Sequence, residues 1–414
     1  MYYPYEIVQK NKHYSILNGA YSTIANTYTG FISLYAINIL HANNQQVGLI
    51  NSLPAIVSLI TTVIGGYWFS RQEMKRKVCG IGILSTRFFL LLFALIPFLP
   101  LYQAWVLVIL IGLMNVPGSL TNLSWQSLIG DLIPEKERGL FFSNRNRILT
   151  IVGMVSTALV GWILNHFNTT NPYPFQILFF VSFLFGLLEA YYLFKHVERK
   201  EYSLIDSTKS KHLLTAMKES ISEKPFLFFL LSSMLFNFGW QMAWPLFSIY
   251  QIKTAGATAV WLSLFTVTNQ LSQILTYTWW GRMSERFGNS VMLFIASAGM
   301  ASAPFLTVLS TNLVYLTMTN LFTGAFLAGT NFLLFNQLLG VSPGKNRSSY
   351  ITLYTIVIGF IGFISPQIGV WLLSLTGMFW AMNISSVIRL LGAFAFFVVA
   401  FKFEKDRIPA ILRH

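Results

Sequence analysis

The 414-residue chain is 54% hydrophobic but only 10% charged, with a net charge of +14. Soluble domains carry about 25% charged residues, so a soluble globular fold is excluded: too few polar groups exist to cover its surface. A lipid environment removes that difficulty, because the solvent is itself apolar.

Apolar runs near the roughly 20 residues needed to cross a bilayer recur along the chain. They predict spans at Ser15–Leu40, Val47–Phe69, Val78–Leu99, Ala104–Ile129, Ile148–Phe167 and Phe175–Leu193. A second set follows at Phe226–Tyr250, Ala257–Trp280, Val291–Leu309, Leu313–Leu339, Ile351–Leu375 and Phe379–Phe401. The runs do not alternate as barrel strands would. The expected fold class is therefore an all-α membrane protein of twelve transmembrane helices. It divides into a six-helix half at 1–197, a charged linker at 198–224 and a second six-helix half at 225–414. The N-terminal segment lacks the short apolar core and small-residue site of a removable signal peptide.

The basic residues give the expected orientation. With both termini cytoplasmic, all but three of the 28 Lys and Arg residues fall at the ends, in the even-to-odd loops or in the linker. The exceptions are Lys253, expected outside, and Arg87 and Arg389, within spans. The positive charge is thus accounted for by topology, and no nucleic-acid partner is expected. Trp105, Trp162, Trp261 and Trp380 lie near expected outer span ends and Trp68, Trp279 and Trp280 near inner ends, where amphipathic rings are favoured. Trp240 lies mid-span.

The halves echo each other. Gly66 and Arg71 map to Gly281 and Arg286 at an offset of 215. Thr121, Asn122, Pro134 and Arg138 map to Thr330, Asn331, Pro343 and Arg347 at an offset of 209. Duplication of this kind is expected of carriers whose halves move about a central site.

The stretch Gly281-Arg-Met-Ser-Glu285-Arg286-Phe-Gly288 resembles the loop motif of the major facilitator superfamily. With the span count and the duplication, the resemblance covers about Ser15 to Phe401. It implies an alternating-access transporter and a cytoplasmic latch made by Gly281, Glu285, Arg286 and Gly288, with Glu285 pairing with Arg347 when the inner mouth is closed. The first-half copy, at Gly66, Arg71 and Arg138, is degenerate: Ser70 stands where the acid belongs. Asp131 is the acid available to face Arg71 instead. Span five lacks the Gly-Pro-Gly pattern of the family's proton/drug antiporters, and span four lacks their membrane-embedded Arg.

Three ionisable residues fall within spans, where each costs several kcal/mol unless partnered. Arg87 lies about 14 Å from the inner end of span three and Glu189 about 9 Å from the inner end of span six, at 1.5 Å per residue. Their depths allow a structural ion pair. Arg389, about 15 Å into span twelve, has no membrane carboxylate in its own half. Backbone carbonyls, amides or an anionic substrate are its candidate partners. Glu189 is the sole candidate carrier for a coupling proton.

The resemblance also implies that spans one, four, seven and ten, with help from two, five, eight and eleven, line the cavity. These spans carry Asn26, Tyr28, Asn115, Asn122, Asn237, Trp240, Gln241, Asn269, Gln273, Asn320 and Asn331. Uncharged amides and aromatics suit a neutral, zwitterionic or amphipathic small molecule, although amides also serve as interhelical glue. The histidines lie at or beyond span ends without metal-ligand spacing, and no phosphate-binding Gly-rich Lys motif occurs. No enzyme activity, cofactor or metal is expected. The reading is a monomeric carrier in the cell membrane that exports an amphipathic metabolite or drug. The alternatives are an uptake or facilitative carrier for a neutral metabolite, and a receptor that kept the fold without transport.

Overall fold

The computed structural model describes residues 4–69, 72, 74–198, 221–342 and 347–403. All regular structure among them is helical. The described residues fall into two compact units that divide between Ile205 and Asp206, with Thr258–Ser263 grouped with the first.

In the first unit the first span is not one helix. It runs as Tyr5–Ala25, then a tight 3₁₀ turn at Thr27–Gly30, then Ile32–Asn38. Spans two to six are Asn44–Phe69, Lys75–Leu95, Gln103–Leu132, Glu135–Asn165 and Tyr173–Phe194. Span one packs on five and six, span three on four and six, and span two on four. An aromatic cluster seals the centre. The rings of Phe93 and Phe179 stand edge to face at 5.7 Å, and Tyr35 meets Phe179 at 5.0 Å. The Tyr35 hydroxyl donates to the Phe93 carbonyl at 2.9 Å, so a polar handle is buried without loss.

The second unit repeats the plan. Span seven is broken too: Lys224–Met242 stops at Ala243, and Trp244–Ile249 continues into a π turn at Tyr250–Thr254. Pro245, which has no N–H to give, lies at the start of the second piece. Spans eight, nine and ten are Ala259–Phe287, Asn289–Val308 and Leu313–Val341. The last helical stretch, Arg347–Phe403, holds spans eleven and twelve and reverses at Gly377, whose φ of 81° suits glycine. Phe229 and Phe236 of span seven meet Phe396 of span twelve at 6.1 and 5.9 Å. Phe294 of span nine meets Phe394 and Phe397 of span twelve at 5.4 and 4.9 Å.

Twelve spans were expected from hydropathy, yet nine described stretches are long and apolar enough to cross a bilayer by length and composition. The difference has physical causes. Span one has a long but polar first piece, Tyr5–Ala25, and a short second one, span eight is too polar along its length, and spans eleven and twelve share one stretch across Gly377. The expected linker lies mostly outside the described residues.

Candidate functional site

The break in span one sits over a buried charge. Arg87, on span three, is 4% exposed, and Glu189, on span six, is 5% exposed. The guanidinium donates to Glu189 Oε2 from Nε at 2.8 Å and from Nη2 at 2.7 Å. Its third nitrogen, Nη1, donates to Asn26 Oδ1 at 2.7 Å, and Nη2 also reaches Ser22 Oγ at 3.4 Å. Asn18 donates to the Glu189 carbonyl at 2.9 Å. Gly186 makes room for this, since a Cβ there would meet the Arg87 side chain. Three spans thus converge on one ion pair, and a charge fork that would be costly in lipid is nearly saturated.

The second half places its own buried arginine at the break in span seven. Arg389 is fully buried. Its Nε donates to the Gly239 carbonyl at 3.3 Å, Nη2 to the Trp240 carbonyl at 3.1 Å and Nη1 to the Met300 carbonyl at 3.0 Å. Ser385 also donates to Gly239 at 2.7 Å. Gly239 and Trp240 lie in the last turn of Lys224–Met242, where carbonyls run out of helical partners and the helix dipole is negative. The cation therefore replaces the missing N–H groups, and the helix end stands in for the missing carboxylate. A Cβ at Gly239 would sit 2.9 Å from the Arg389 backbone nitrogen, so glycine permits the close crossing.

The candidate lining residues separate into groups. Asn26, Asn122 and Asn331 are exposed. Asn122 Oδ1 accepts from Gln126 at 3.1 Å. Asn115 is half-buried, donates back to the Ile111 carbonyl at 2.7 Å and accepts from Ser58 at 3.4 Å. Gln273 donates to Asn269 Oδ1 at 2.8 Å, and Asn269 donates to the Asn320 carbonyl at 3.1 Å, tying spans eight and ten together. The Asn320 amide itself donates back to Leu316 at 2.8 Å. Trp240 is half-buried against Phe236 and Trp244. Tyr28, Asn237 and Gln241 are buried. Tyr28 packs edge-on against Phe93 and Phe179, with its hydroxyl on the Met114 sulfur at 3.7 Å. It lies in the 3₁₀ turn Thr27–Gly30 and is packed into the core of its half. Asn237 donates to the Ser233 carbonyl at 2.9 Å.

The latch residues are placed as follows. Gly66 lies near the end of span two, and Arg71 lies outside the described residues. Asp131 pairs with Lys75. Arg138 donates to the Ile133 carbonyl at 2.9 Å and to Gly130, closing the end of span four. Gly281, Glu285 and Arg286 belong to the span-eight helix, which runs to Phe287, so the turn itself falls on Gly288 with φ 87°. Glu285, Arg286 and Arg347 are exposed. Among the described residues no ion pair joins Glu285 to Arg347 in this conformation.

Sequence reasoning missed a bracket at the cytoplasmic end expected of spans three and six. The Glu198 carboxylate accepts from the backbone N–H groups of Lys75 at 2.9 Å and Arg76 at 3.0 Å, capping span three. Asn11 exchanges two hydrogen bonds with Val197, at 3.3 and 2.9 Å. Arg76 donates to the His196 carbonyl at 2.5 Å. The His196 ring is buried, with Nδ1 on the Leu193 carbonyl at 2.9 Å and Nε2 without a partner. Burial pushes its pKa down, aided by nearby Arg76 and Arg145. An acid just past span six and a free helix start at Lys75 were the available signal. Among the described residues no three His, Cys, Asp or Glu side chains converge as a metal site would require.

The sequence pattern of the Major Facilitator Superfamily matches residues 15–268 and, overlapping, 229–411. The fold is shared with the nucleoside transporter NupG, whose point-mutant structure has a TM-score of 0.74 at 15% identity, over 95% of this chain and 99% of that one. It is shared with a D-xylose–proton symporter, at a TM-score of 0.70 and 15% identity, over 94% and 97% of the two chains. A bacterial homologue of the human lysosomal transporter Spinster gives 0.70 at 13% identity, over 98% of each. No curated protein matches the sequence. At such identities the structural likeness speaks for the fold, while the sequence match spans both halves. The chain is a multi-pass membrane protein with a secondary-transporter fold, and it belongs to the Major Facilitator Superfamily.

Proposed function

We propose that the protein carries a small, uncharged or zwitterionic organic solute across the cell membrane by alternating access, with both termini cytoplasmic. One observation carries this reading. Arg87, Glu189 and Arg389, the charges that the sequence places deep in spans, have partners inside their own halves. Amides and aromatic rings remain to meet a solute, a few oriented polar groups on an apolar wall. An amphipathic solute moved outward fits that chemistry. A neutral metabolite moved inward is the second reading, favoured by the fold shared with NupG and the D-xylose–proton symporter.

The test is a ligand-stabilisation screen on purified protein, since binding raises stability by mass action, followed by flux in proteoliposomes of defined orientation. Neutral solutes should stabilise the protein and cross in both vesicle orientations at different rates. Stabilisation by dianionic solutes alone would overturn the reading. Binding without flux would indicate a receptor.

A further inference from the structure

The structure resolves which way one carboxamide points, and that choice has a chemical consequence. The oxygen and nitrogen of an asparagine side chain are normally assigned from their neighbours. At Asn26 the neighbour is a guanidinium, which has donors and no acceptor. The atom 2.7 Å from Arg87 Nη1 must therefore be Oδ1. Glu189 grips the guanidinium from the other side at 2.8 and 2.7 Å, so the Arg87 fork is not free to turn. The Asn26 backbone carbonyl is also taken, by the Thr29 N–H at 3.0 Å and its hydroxyl at 2.8 Å. What residue 26 has left to offer is its amide N–H₂. One proton faces Ser22 Oγ at a long 3.4 Å. The other has no protein partner among the described residues.

Position matters as much as orientation. Asn26 lies eleven residues into the span expected from Ser15, about 16 Å along the helix axis. It is exposed, whereas Arg87 and Glu189 behind it are buried. A carboxamide held open at that depth is costly against lipid, so it belongs on a water-lined face. Hydrogen bonding to a cation polarises the amide and strengthens its N–H₂ as a donor.

We propose that the Asn26 N–H₂ donates to an acceptor atom of the transported solute (a carbonyl, hydroxyl or ring nitrogen), and that Arg87 is the positioning residue that fixes this donor. This rests on the neutral-solute reading above and narrows it to solutes with an acceptor. The solute's acceptor takes the place of water at Nδ2, and no charge is exchanged.

Two measurements test it. The first needs no solute: the side-chain amide of Asn26 in [¹⁵N]asparagine-labelled protein in nanodiscs, assigned by its loss in Asn26→Ser. The expected result is an N–H₂ pair that exchanges with water, with one shift that moves when Arg87→Met and Glu189→Gln are combined. A pair protected from water, or one unmoved in the double variant, overturns the proposal. The second uses uridine, a neutral solute rich in acceptors. Asn26→Asp keeps an oxygen for Arg87 but removes the donor. It should fold normally and weaken uridine binding about three- to tenfold, the worth of one hydrogen bond. The double variant should raise KM by a similar factor with kcat retained, a split that a purely structural role would not produce. Unchanged uridine affinity in Asn26→Asp refutes the proposal. Wild-type protein that does not bind uridine counts against the solute class proposed above, and the amide spectrum then decides this inference by itself.

Discussion

Glu189→Gln is the sharpest perturbation of the first half. The substitution keeps the side-chain volume and removes the charge. Arg87, 4% exposed, would then keep Asn26 and Ser22 but lose the carboxylate that takes two of its donors. Breaking a buried pair by removing one partner costs about 3–5 kcal/mol, because the remaining charge is left in a poor solvent. Removing both charges together is far less damaging, since a buried pair is worth little more than well-packed apolar groups. The expected result is a low folded yield and a lowered unfolding midpoint for Glu189→Gln, with much of both recovered in Glu189→Gln combined with Arg87→Met. A double-mutant cycle should give a coupling of about 2 kcal/mol or more. The assay is monodisperse yield and thermal unfolding in detergent and in lipid. Glu189→Gln as stable as wild type would refute the reasoning, and so would a double variant no better than the single one. A double variant that folds well but loses only pH-gradient-driven transport would instead make Glu189 the proton carrier.

In the second half, Arg389→Met should destabilise by about 1–3 kcal/mol, the cost of carbonyls left without partners, and Arg389→Lys should restore only part of it, because a point charge cannot reach spans seven and nine as a fork does; thermal unfolding of the two variants checks this. For the gate, Glu285→Ala or Arg347→Ala should shift the population away from the outward-open state, since a latch acts only through its preference for one state. Spin-label distances between cytoplasmic span ends that are unchanged in both variants would refute it. The pH prediction concerns His196, whose pKa burial holds below the ordinary 6.5. The unfolded chain binds a proton as pH falls below about 6.5 while the folded imidazole does not. Stability is therefore full above that pH and declines below it, and His196→Gln should flatten the decline in the unfolding midpoint between about pH 7 and 5.5.

Most of the span pattern was legible because apolar length is a one-dimensional property, visible without any fold. The Arg87–Glu189 pair was legible for a similar reason: two opposite charges at similar depth in lipid have few alternatives to each other. The breaks in spans one and seven were not, because the apolar runs resume beyond them and hydropathy counts each as one span. Tyr28, offered as a lining candidate, lies on the first of these breaks and is buried, and Pro245 was a usable signal at the second. Candidates for Arg389 included backbone carbonyls, but every residue has one, so Gly239, Trp240 and Met300 could not be singled out. Asp131 was expected to face Arg71, which lies outside the described residues; among the described residues it meets Lys75, the first residue of span three. Glu198 escaped notice because its partners are backbone N–H groups, so its place just past span six and the free helix start at Lys75 were the whole signal.

The two arginines solve one problem in different currencies. Each ties the third and sixth spans of its half to the break in the first span of that half: Arg87 through side chains of spans one and six, Arg389 through carbonyls of spans seven and nine. A broken helix exposes carbonyls and loses its own tightening bonds, so it needs an external donor, and a five-donor cation suits several acceptors at once. Where the break leaves bare carbonyls, as at span seven, the helix end itself is the counter-charge. Where Asn26 caps the break, the acceptors near Arg87 are too weak to neutralise it, and a carboxylate is required. Glu189 is thus explained by the electrostatics of its own half before any proton needs to be invoked. The same logic ties the open N–H₂ of Asn26 to that ion pair, so binding and folding share the residues around Arg87. Substitutions there should be judged by affinity and stability measured together.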